Sequence, residues 1–71
     1  MNRTVARHIS DLMLEFGRRL DESVEIMQES CEKDELDGYR RAIGQIMGTM
    51  LLEIMNPLYA QHPELKPHEL E

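Results

Sequence analysis

Three histidines, one cysteine and fourteen carboxylates are the groups in this 71-residue chain that could bind a metal or move a proton. Zinc and di-iron sites need ligands that converge from one turn or one helix face, as in CxxC, HExxH or ExxH. None of these spacings occurs, and His8, His62, His68 and Cys31 fall in different regions. The acids Glu22, Glu25, Glu29 and Glu32 recur at threes and fours and share one helix face. Such a row could hold a cation loosely, but it reads first as a solvated face. Cys31 has no histidine near it in sequence to act as a base and reads as a small core residue. A glycine-rich phosphate loop, a GxSxG elbow and a defensible Ser/His/Asp order are all missing. The chemistry therefore points away from an enzyme, a metal centre and any cofactor.

Charge narrows the partners. Eight basic against fourteen acidic residues leave a net charge of −6. Nucleic-acid affinity comes largely from neutralising phosphates, so no nucleic-acid partner is expected. The charge is polarised: residues 1–20 carry +2, residues 21–37 carry −7 and residues 38–55 carry +1. Met1 to Ser10 has no apolar stretch of the kind a signal peptide needs, and a lone cysteine suits a reducing compartment, so a cytoplasmic location is expected. The terminal Leu70-Glu71 reads equally as native or as a remnant of cloning.

Two helices must position whatever this chain presents. Between about residues 4 and 32 the apolar positions are Val5, Ile9, Leu12, Met13, Phe16, Leu20, Val24, Met27 and Cys31. On a helical wheel they fall within roughly 120° of arc, the width of one packed face. Leu14 and Ile26 lie off this stripe and are expected to be exposed. A break is expected near Lys33-Asp34, with Asp34 as N-cap and acids in the next first turn, where the helix dipole favours them. The second helix, about 35–55, carries Leu36, Tyr39, Ile43, Ile46, Met47, Met50 and Ile54 on one stripe. A second sector beside it holds Gly44, Gly48, Leu51, Leu52 and Met55. Together they cover roughly 240° of the wheel, so this helix needs apolar neighbours on more than one side. Asn56-Pro57 is expected to end it, because the residue before proline avoids the helical region. A short turn at 57–61 and an extended, proline-spaced tail from residue 62 to 71 complete the reading.

The expected fold is all-α: an antiparallel two-helix hairpin over residues 1–61 that dimerises into a four-helix bundle, with a C-terminal tail. A core this small seldom stands alone, and one cysteine allows no intrachain disulfide. The GxxxG pair Gly44 and Gly48 would let a second backbone approach closely, which places the dimer interface at Gly44, Gly48, Leu51, Leu52 and Met55. A membrane span over 42–60 is disfavoured by Gln45, Thr49, Glu53, Asn56 and Pro57. Five internal methionines read as core filling. Leu58, Tyr59 and Leu65 are apolar residues that two helices alone do not need, which makes them candidate contacts for an unidentified protein partner. Folding of Leu58 and Tyr59 back over the open end of the bundle is the structural alternative. The function expected is that of a small non-enzymatic interaction protein, a regulator or adaptor of bacterial or phage type. The alternative is an acidic decoy whose carboxylates occupy the basic groove of a nucleic-acid-binding protein.

Overall fold

A computed structural model of the chain describes residues 1–68, and its regular elements are all helical. The Leu70-Glu71 question lies outside the described residues. Helix α1 spans Arg3–Ser30. It starts where it does because Asn2 is extended and its side-chain oxygen accepts the Val5 N–H at 2.9 Å, satisfying one of the orphan donors of the first turn. Arg18 sits between Glu15 and Glu22, one helical turn to either side. All three are exposed, so these pairs add only tenths of a kcal/mol, about 0.3–0.5 each.

The connection lies two residues earlier than the sequence reading placed it. Cys31 (φ −119°, ψ 157°) and Glu32 (φ −75°, ψ 164°) are extended, and helix α2 runs over Lys33–Thr49. Glu32, not Asp34, occupies the N-cap position, and its side chain makes no capping bond. The first turn is closed by the Leu36 N–H donating to the Glu32 carbonyl at 3.0 Å. Asp34 and Glu35 lie inside that turn, where the helix dipole favours negative charge.

Asn56-Pro57 does not end the second arm. A π-helical turn, Met50–Met55, follows α2 and leads directly into helix α3, Asn56–Gln61. Asn56 itself is helical at φ −60°, ψ −48°. In an unbroken α-helix, a proline here would clash with the carbonyl four residues back and leave it without a donor. The wide π turn avoids this by shifting the ladder one residue: the Asn56 N–H reaches back to Leu51. Pro57 then falls in the first turn of α3, where a missing N–H costs little. The chain leaves the helix at His62, and a 3₁₀ turn at Pro63–Leu65 replaces the expected extended start of the tail.

The tightest packing sits where α3 meets the start of α1. Ala6 is fully buried, and Met55, Leu58 and Tyr59 close around it, with Ile9, Met13 and Leu65 packed against them. Two serine–tyrosine bonds join α1 to the second arm. Ser10 Oγ and Tyr59 OH are 2.6 Å apart in the buried cluster. Ser23 Oγ donates to the Leu20 carbonyl at 2.6 Å, so its bond to Tyr39, also 2.6 Å, takes the tyrosine proton. His62 Nε2 lies 3.1 Å from the Met1 carbonyl, which can only accept, so the ring nitrogen donates.

Candidate interaction surface

The residues expected to meet partners divide sharply. Leu58 and Tyr59 are 4% and 6% exposed, and Leu65 is half-buried against them. Continuation of the helix through Pro57 turns Leu58 and Tyr59 inward onto Ala6, which is the fold-back arrangement. Met55, expected at a dimer interface, lies in the same core cluster. Leu51, Leu52 and Gly44 are exposed and Gly48 is half-buried. A Cβ added at Gly44 or Gly48 would meet nothing within 4 Å. The glycine pair therefore makes no close helix approach within this chain.

The close approach is made by α1 instead. Ala6, Ser10 and Gly17 follow one another along its inner side, and a Cβ built on Gly17 would lie 3.7 Å from Met47 Cε. Sequence reasoning missed Ala6, Ser10 and Ser23. The signal was present: small residues at intervals of four and seven from Ala6 to Gly17 run beside the stripe, where they shorten the distance between helices.

Two helices make a layer with two open faces. On the first face Leu12, Phe16, Leu20 and Tyr39 line one groove of about 410 Å³, with Glu15 and Arg19 at its edge. Ile46 lies two turns beyond Tyr39 on the same side of α2. With Ile54 it lines a further groove whose wall is Ala42, Gln45, Thr49 and Met50, none of them charged. On the opposite face a larger groove of about 790 Å³ runs between Met13, Leu14 and Gly17 of α1 and Met47, Gly48 and Leu51 of the second arm. Pro67 of the tail lies in that groove. The α1 stripe accordingly is not one packed face. Its Val5, Leu12 and Phe16 edge is about half exposed, while Ile9, Met13, Leu20 and Val24 are half-buried.

No family model, curated protein or solved structure matches the chain. The surface must be interpreted from its own chemistry. Among the described residues no group of three or more histidine, cysteine or acidic side chains is placed to hold a metal. Among them, too, no helix is long and apolar enough to cross a membrane. Of the eight acids between residues 21 and 37 all are exposed, and ion pairs engage Glu22 and Asp37.

Proposed function

We propose that this chain is a non-enzymatic, self-associating interaction protein, a small regulator or adaptor that works as a homodimer in the cytoplasm. In this reading it is an antiparallel two-helix hairpin, and two copies pack their layers into a four-helix bundle. The order of contacts supports the hairpin: Tyr39 bonds Ser23, Met47 faces Gly17, Tyr59 bonds Ser10 and His62 bonds Met1. As the second arm advances, its partners run backward along α1.

The observation that carries self-association is surface area. The chain exposes 5439 Å², whereas a compact monomer of its 8.3 kDa would expose about 4,600 Å². The excess, roughly 800–900 Å², equals what one partner contributes to a standard protein interface. The elongation agrees: the radius of gyration is 14.3 Å, against about 11 Å for a compact domain of this length. Sedimentation equilibrium at micromolar concentration tests the reading. A dimer is expected, and a stable species of 8.3 kDa at every concentration overturns it.

The exposed acids favour a second reading, the acidic decoy. Asp21, Glu25, Glu29, Glu32, Asp34 and Glu35 stand exposed on the bundle's corner end. A decoy's partners would be basic and released by modest salt, so a pull-down eluted in a salt gradient separates the two readings.

A further inference from the structure

Resting on the homodimer reading, we infer that the second copy docks on the Phe16 face of the layer, not on the glycine face. Three observations carry this choice. The first is where the unburied apolar surface lies. Val5, Leu12, Phe16, Ile46 and Ile54 are each 39–50% exposed. Half-exposed side chains of this size present on the order of 100 Å² apiece. Five of them, with Leu20 and Tyr39 between, supply about half of the roughly 800 Å² that one partner gives to a standard interface. The glycine face offers less. Leu14, Leu51 and Leu52 are its exposed large residues, three against five, and its methionines are already half-buried or buried.

The second observation is charge. The two grooves of the Phe16 face carry one acid, Glu15, and one base, Arg19, and the glycine-face groove likewise carries Asp21 and Arg18, so the placement of these charges and not their number separates the faces. Interface centres are depleted of charge and enriched in aromatic residues. A two-fold axis passing near Phe16 sets two antiparallel α1 helices against each other. Glu15 of each copy then faces Arg19 of the other, because the two positions lie symmetrically about residue 17. Among the described residues Arg19 forms no ion pair, whereas Arg18, next along the helix, is held by Glu15 and Glu22. The face is therefore complementary to itself, as an isologous contact must be.

The third observation is the tail. Leu65 packs on the core and Pro67 lies in the groove of the glycine face, so this chain already covers one end of that groove. The Phe16 face has no such cover from its own chain among the described residues.

Sedimentation of point variants tests the choice. Phe16→Glu and Ile46→Glu should raise the dimer dissociation constant at least a hundredfold while helical circular dichroism persists. Leu14→Glu and Leu51→Glu should change it less than threefold. A milder measurement covers the case in which glutamate unfolds the chain. In a Cys31→Ser background, a single cysteine at Leu12 should react with a maleimide at least tenfold more slowly at dimeric than at monomeric concentrations, and one at Leu51 should not. Protection at Leu51 and not at Leu12, or loss of the dimer in Leu51→Glu alone, overturns the assignment while leaving the dimer intact. A wild-type chain that is monomeric throughout removes the homodimer itself.

Discussion

The buried Ser10–Tyr59 bond gives a prediction whose size and asymmetry both come from the structure. Ser10 is 3% exposed and Tyr59 6%, so water cannot replace either hydroxyl as a partner. Ser10→Ala strands the tyrosine hydroxyl in the Ala6–Met55–Leu58 cluster, and an unsatisfied buried hydroxyl costs about 1–3 kcal/mol. Alanine returns part of this, about 0.5 kcal/mol, as the better helix former. The net loss is therefore about 1–2 kcal/mol, a fall in Tm of roughly 5–15 °C for a domain of this size. Tyr59→Phe strands Ser10 instead, but a helical serine can turn its hydroxyl to the carbonyl four residues back, here Ala6. Its cost should stay at or below about 1 kcal/mol. With both hydroxyls gone nothing is stranded, and the double variant should lie within about 0.5 kcal/mol of wild type. Urea and thermal unfolding followed by circular dichroism measure all four proteins. Protein concentration must be fixed, because the proposed self-association would make Tm depend on it. Additive single effects in this cycle, or a Tyr59→Phe loss larger than that of Ser10→Ala, would refute the reasoning.

Gly17→Ala should raise stability by about 0.5–1 kcal/mol, since its new methyl meets Met47 Cε at an ordinary contact distance, and a chemical denaturation curve reads it directly. Tyr39→Phe should cost less than Ser10→Ala, about 0.5 kcal/mol, because Ser23 keeps its bond to the Leu20 carbonyl; the same curves compare them. Truncation after Gln61 should keep the helical circular dichroism but lower Tm by several degrees, about one kcal/mol for losing half-buried Leu65. Truncation after Asn56 removes buried Leu58 and Tyr59, about 4–6 kcal/mol against a total stability of a few kcal/mol, and should leave no cooperative transition. Deleting exposed Leu52 together with Pro57→Ala should convert the π turn to α-helix and preserve folding, whereas deleting exposed Gln45 should abolish the thermal transition.

The helical class was legible because Val5 to Cys31 recurs in threes and fours with no proline to interrupt it. The stop at Pro57 was not, because a local rule was overruled by burial farther along. Leu58 and Tyr59 reach Ala6 only if the helix continues, and the π turn supplies the ladder shift that lets it pass the proline. No short-range pattern announces a π turn. The glycine pair misled for a related reason. Gly44 and Gly48 sit at a familiar spacing, yet the helix contact inside the chain is made by Ala6, Ser10 and Gly17. Ser10 was invisible to a count of apolar residues because its burial depends on a tyrosine 49 positions away. Leu12 and Phe16 were correctly placed on a stripe, but a stripe does not say whether its chain or another covers it.

Stability in this layer is unevenly spread, and the unevenness bears on assembly. At the α3 end, Ala6, Met55, Leu58 and Tyr59 are buried, and hydrogen bonds from Ser10 and His62 hold the two arms together. Toward the corner, Val24, Met27, Cys31 and Leu36 are only half-buried, and six acids that form no ion pair among the described residues crowd the same end. Local opening follows burial, so the corner end should exchange its amide hydrogens first in a monomer. Covering Phe16, Leu20 and Tyr39 by a second copy would extend burial from the middle of α1 toward that corner. Hydrogen exchange across a dilution series should thus show protection lost first on residues 20–40, with residues 6–10 and 55–59 the last to open. Uniform loss along both arms would mean that the two ends unfold as one unit and that the second copy does not act through the Phe16 face.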